Sequence, residues 1–140
     1  MNQSTSIWYK LYSSMINITL ILFITSPLFL IYGFDTKWKL LTIFTFLLYE
    51  LILIFTKQKR DLGMIIMGSY WKEPFTNSQY ILYNLLYTLS FASLFFYFIF
   101  PGDLLLINLL LVQLPFVVLT KYTLHGYLSG MITVVKRSQS

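Results

Sequence analysis

The chain has 140 residues, of which 57% are hydrophobic, 19% aromatic and 11% charged. So few charges cannot coat a soluble domain of this length, and the apolar residues come in blocks rather than in an amphipathic rhythm, so lipid is the solvent for much of the surface. The lack of cysteine excludes disulfides, zinc–thiolate sites and thiol nucleophiles. The net charge of +5 rests on basic residues beside apolar blocks, where they read as topology determinants facing anionic lipid and not as a nucleic-acid footprint.

Residues 1–6 carry no positive charge, and the apolar run after them is longer than a signal-peptide core and lacks a small-x-small cleavage site, so the first hydrophobic segment is expected to stay in the mature chain. The first span covers residues 14–33, with Pro27 predicting a kink near Thr25 and Ser26, whose hydroxyls can satisfy the freed backbone groups. A short connection, with Trp38 suited to the headgroup layer, leads to a second span at residues 40–56. The basic stop Lys57-Gln58-Lys59-Arg60 follows. Residues 62–71 are apolar but too short to cross, and read as an interfacial helix or a re-entrant piece. Spans at 80–100 and 104–120 flank the turn Pro101-Gly102-Asp103, and residues 121–140 form a tail. The expected fold is therefore all-α: one polytopic membrane domain, residues 1–140, with about four transmembrane helices and a short interfacial helix between the second and third.

Lysine and arginine set the orientation. With four spans, Lys10, Lys57, Lys59, Arg60, Lys72, Lys121, Lys136 and Arg137 fall on one side and only Lys37 and Lys39 on the other. The positive-inside rule then puts both termini in the cytoplasm.

Three stretches carry a family resemblance. Thr123-Leu124-His125-Gly126-Tyr127-Leu128-Ser129-Gly130-Met131-Ile132-Thr133-Val134-Val135 looks like a C-terminal pattern of Leu-His-Asp, then Ala-Gly-Thr and a run of valines. Arg60-Asp61-Leu62-Gly63-Met64-Ile65-Ile66-Met67-Gly68 is similar to a Thr-Leu-Gly-Lys motif with a later glycine after the second helix. Lys10-Leu11-Tyr12-Ser13-Ser14-Met15-Ile16-Asn17 stands where an arginine and a first aspartate would be. In order and spacing the chain resembles the RDD family of small bacterial membrane proteins, which implies a multi-pass protein of the bacterial cytoplasmic membrane. The arginine and two aspartates that name the family read here Lys10, Asn17 and Gly126. Lysine keeps the charge without the planar fork, asparagine can bond but not ionise, and glycine can do neither, so a role that depends on that charged network does not carry over.

Glu50 is the one acid well inside an apolar span, so it should face the bundle or a watery cavity. It reads either as an ion or proton site, or as a neutral or paired structural group bonded to Asn17, Asn84, Asn108 or Gln113 on neighbouring helices. His125, the only histidine, has no Asp, Glu or Cys beside it in the tail, so a metal site or a catalytic role lacks partners. The resemblance places it at the helix–cytoplasm boundary as a hydrogen-bonding group. Gly126 and Gly130 would share one helix face and permit close approach, whereas Gly63 and Gly68 are spaced for a turn or kink. The aromatic run 91–100 reads as lipid-facing bulk.

One histidine, no cysteine and one buried acid assemble no constellation for general acid–base or nucleophilic chemistry. The leading expectation is a non-enzymatic membrane subunit, without cofactor or metal, that binds and positions another membrane protein. Its partners would be the bilayer and other membrane subunits or copies of itself, with no nucleic acid. The alternative is an ion or solute transporter of the cation/proton exchange type that some RDD-family members are thought to be, acting as an oligomer with Glu50 as coupling residue.

Overall fold

The computed structural model describes residues 2–72, 75–120 and 122–136, and is mostly helical. Strand β1 (Asn2–Ser4) leads into α1 (Ile7–Tyr32), whose 26 residues extend about 39 Å, more than the roughly 30 Å of hydrocarbon in a bilayer. Gly33 ends it at φ 66°, and the Asp35 carboxylate accepts the Thr36 N–H at 2.7 Å to start α2 (Thr36–Ile52). A 3₁₀ turn, Leu53–Phe55, extends α2. Then come α3 (Leu62–Met67), β2 (Ser69–Trp71) and α4 (Asn77–Ala92), the last opened by a reciprocal cap between Thr76 and Gln79. The helix Asp103–Thr120 comprises α5 (Asp103–Leu106), a π-helical stretch (Ile107–Gln113) and α6 (Leu114–Thr120). Last are α7 (Leu124–Ser129) and β3 (Thr133–Lys136).

Three helices are long and apolar enough to cross a membrane: Ile7–Tyr32, Thr36–Phe55 and Asp103–Thr120. The third expected span is shorter than the apolar run that suggested it, since α4 stops at Ala92. The cause lies in the turn beyond it. The Asp103 carboxylate accepts the N–H groups of Phe98, Ile99 and Leu104 at 2.6–3.1 Å, so these amides find their acceptor in a side chain and not in a helix. Asp103→Ala should lower stability, because it strands several half-buried donors at once; thermal unfolding in mild detergent measures it.

A small antiparallel sheet of order β1-β3-β2 was not legible in the sequence. Asn2 pairs with Lys136 and Ser4 with Val134 on one side of β3, while Ser69 pairs with Val135 and Trp71 with Thr133 on the other. The start of the chain, the 69–71 segment and the tail are thereby tied together at one end of the bundle. Residues 62–71 are accordingly no continuous helix: Gly68, at φ 67°, turns the six-residue α3 into β2. Lys121 and Arg137 of the basic count lie outside the described residues.

α1 packs on α2 and α3, α2 on α4, and α4 on α7. The core between the long helices gathers Ile21, Trp38, Phe46, Tyr87, Phe91 and Phe95, with Phe46 stacked on Phe91 at 4.2 Å. Two readings change here. Trp38 is buried, with its indole N–H donated to the Thr25 carbonyl at 3.1 Å, so it faces the core and not headgroups. The 91–100 run divides: Phe91 and Phe95 are core, whereas Phe98, Ile99 and Phe100 are exposed. Near Pro27 a hydroxyl meets the freed backbone group, since Ser26 Oγ donates at 2.7 Å to the Phe23 carbonyl that the proline cannot engage.

Candidate functional site

The three stretches that carry the family resemblance converge where α1 meets α3, α4, α7 and the sheet. They enclose a cavity of about 40 Å³, lined among others by Lys10, Ser14, Asp61, Tyr83, Tyr87 and His125. That is room for two or three waters.

The first turn of α3 forms one wall, and each of its free amides is met by a side chain. Leu62 N–H bonds to Tyr49 Oη at 2.8 Å, Gly63 N–H to Asn17 Oδ1 at 3.0 Å and Met64 N–H to Asp61 Oδ1 at 2.7 Å. Asn17 thus acts as a neutral acceptor that clamps α3 onto α1. Arg60 secures the far side, donating to the carbonyls of Ser69 at 2.8 Å and Met64 at 3.3 Å and lying 4.0 Å over the Tyr70 ring. Burial raises the Asp61 carboxyl above its usual range, opposed by the Met64 amide and the Arg60 charge.

His125 forms the opposite wall. Thr123 caps α7 by accepting the Gly126 N–H at 3.2 Å, which sets the imidazole against α4, stacked on Tyr87 at 5.0 Å and edge-on to Tyr83 at 4.7 Å. The ring is 6% exposed, and its Nδ1 has no hydrogen-bond partner. Burial, then the Lys10 charge, holds its pKa down to about 3. Between pH 6.5 and about 3 the unfolded chain binds a proton that the folded chain refuses, so the histidine's contribution is complete above pH 6.5 and is lost as pH falls. Asp61, shifted upward, opposes this with stability gained on acidification. His125→Phe, which keeps the ring contacts, should flatten the acid-side loss in a pH series of unfolding midpoints.

Gly126 and Gly130 do not form a packing face. Gly130 sits beyond the end of α7 in the left-handed conformation, φ 72°, and a Cβ on Gly126 would press on the Met131 carbonyl and Thr123 Oγ1 at 3.1 Å. No family model, no curated protein and no solved structure matches the chain.

Deeper in the bundle, Glu50 is 2% exposed, as its place in an apolar span predicts. Its backbone carbonyl accepts from Tyr80 Oη at 2.9 Å and Asn84 Nδ2 at 3.4 Å, while Glu50 Oε1 and Asn84 Oδ1 are buried without partners. Asn17 approaches this group through Tyr49, whose hydroxyl lies 3.4 Å from Asn17 Oδ1. Asn108 and Gln113 form a separate set: Asn108 donates to Ser90 Oγ at 2.6 Å, Gln113 donates to Asn108 Oδ1 at 3.3 Å, and Gln113 Oε1 accepts the Leu124 N–H at 3.1 Å. Sequence reasoning weighed Asp61 only as part of a motif and passed over the tyrosines. The spacing of Tyr80, Tyr83, Asn84 and Tyr87, which puts them on one face of a helix, was the available signal.

Proposed function

We propose that the chain is a non-enzymatic subunit of the bacterial cytoplasmic membrane, crossing it four times with both ends inside, that binds and positions another membrane protein. The observation that carries this reading is the state of Asp103–Thr120. Its mean hydropathy suits a span, yet only Asp103 is buried by its own chain. Leu111, Val118 and Leu119 are among the most exposed apolar residues, so a face of this helix is free for a neighbouring helix. In bilayers such contacts form by packing and not by a hydrophobic drive.

The sheet supports the even number of crossings. It joins the start of the chain, the segment after α2 and the tail at one end, so α4 with its turns leads away from that end and Asp103–Thr120 returns to it. Thr76→Cys should then be labelled only once the cytoplasmic side is opened, and Thr36→Cys from outside. Labelling of Thr76→Cys in intact cells would reverse the orientation. The convergence of the three motif stretches on one cavity supports kinship with the RDD family.

Extraction in a mild detergent should recover the chain with a second membrane protein. Leu111→Trp should remove that companion without lowering the yield of the chain itself. Recovery of the chain alone, as a monomer, from native membranes would overturn the reading. The transporter alternative rests on the unpartnered Glu50 Oε1 and Asn84 Oδ1, which are oxygen ligands without a proton donor. Cation or proton flux in reconstituted vesicles that Glu50→Gln abolishes would favour it.

A further inference from the structure

A crevice of about 610 Å³ separates α1 and α4 from the helix Asp103–Thr120. Its size falls within the range of small-molecule sites, and it is open along one side. The two ends differ in chemistry. Toward the middle of the bundle Ile18, Phe91, Leu94, Leu105 and Leu109 line it, with Ser90 and Asn108 among them. Toward the sheet the walls become Lys10, Ser14, Thr123 and His125. A mainly apolar crevice with a lysine at one end, one turn into α1, matches an amphiphile lying along the bilayer normal.

One unspent group stands at this end. Lys10 Nζ donates to the Thr5 carbonyl at 2.7 Å and to Thr5 Oγ1 at 2.6 Å, which leaves one of its three protons, and among the described residues it has no ion-pair partner. Asp61 lines the neighbouring small cavity together with Lys10 and His125 and is not among the residues of the crevice.

We propose that this crevice binds one membrane lipid with an anionic phosphate headgroup, its acyl chain along Ile18, Phe91 and Leu109 and its phosphate at Lys10. The site is distinct from the outer face of Leu111 and Val118 assigned to a partner, and stands or falls without it.

The test is native mass spectrometry of the full chain extracted in polymer-bounded bilayer discs, followed by delipidation and reloading with equimolar phosphatidylglycerol and phosphatidylethanolamine. One phospholipid per chain is expected, with phosphatidylglycerol preferred about fivefold and the preference lost in Lys10→Gln, since one lysine near the membrane surface is worth about that factor. Leu109→Trp, which fills the crevice, should reduce the binding of both lipids. Because either variant could unsettle the bundle, a photo-crosslinking residue at position 109 in otherwise unaltered protein gives a second readout, with lipid as the expected adduct. Equal binding of the two lipids, an unchanged preference in Lys10→Gln, or crosslinks to another protein or a second copy would overturn the proposal.

Discussion

Gly63→Ala should destabilise the fold by about 3 kcal/mol, the upper part of the range for overpacking a tight interior contact. A Cβ at this position would run into the backbone carbonyl of Ser13 and meet its Oγ at 2.6 Å. The hydroxyl can rotate away, but the carbonyl belongs to the backbone of the second turn of α1 and cannot. The methyl would therefore push α3 off α1, and the Gly63 N–H bond to Asn17, 3.0 Å long in the native chain, would stretch with it. Gly68 offers the control. Nothing lies within 4 Å of the place where its Cβ would be, and its φ of 67° is the only obstacle, so Gly68→Ala should cost about 1–2 kcal/mol from the left-handed backbone alone. Unfolding midpoints of the two variants in the same detergent would separate the mechanisms. Equal losses would mean that the contact with Ser13 is not what holds α3.

What the sequence disclosed depended on how many residues carried each signal. α1 and α2 announce themselves because some twenty apolar residues in a row admit few other readings. The sheet stayed hidden because its strands have three or four residues, too short for alternation to register, and β3 draws its partners from both ends of the chain. Side chains acting at a distance account for the shifted boundaries. Asp103 gathers the amides of residues 98 and 99 and ends α4 early, and the left-handed Gly130 closes a helix that a glycine-spacing argument had continued. Glu50 was legible because an isolated acid in an apolar span must turn inward. Asp61 was not, since a carboxylate beside Arg60 in a basic loop looks solvated until α3 folds over it. The resemblance marked the right neighbourhood, Lys10 to Asn17, residues 60–68 and residues 123–135, without saying that an amide at position 17 would serve as a helix clamp.

That clamp leads to the second large effect. Asn17→Leu should lower stability by about 3 kcal/mol, although it replaces a polar residue with an apolar one inside a membrane-type bundle. Transfer arguments alone favour leucine, because an unpaired amide is costly to bury. Here Asn17 is 1% exposed and its Oδ1 receives the Gly63 N–H at 3.0 Å, with the Tyr49 hydroxyl at 3.4 Å. Removing the acceptor strands a buried backbone donor and the Tyr49 O–H, whose oxygen keeps only the Leu62 N–H, and such losses run to about 1–3 kcal/mol for each group. The opposing term is smaller: Asn17 Nδ2 already lacks a partner, so its removal recovers some desolvation. The balance still favours loss, because two donors are stranded and one is relieved. Thr19→Leu, two residues along on the exposed face of α1, should change stability little. Amide hydrogen exchange gives the local readout: in Asn17→Leu the Gly63 amide should exchange far faster while amides in the middle of α2 stay protected. Unchanged protection at Gly63 would mean that its bond to Asn17 contributes nothing to the hold of α3 on α1.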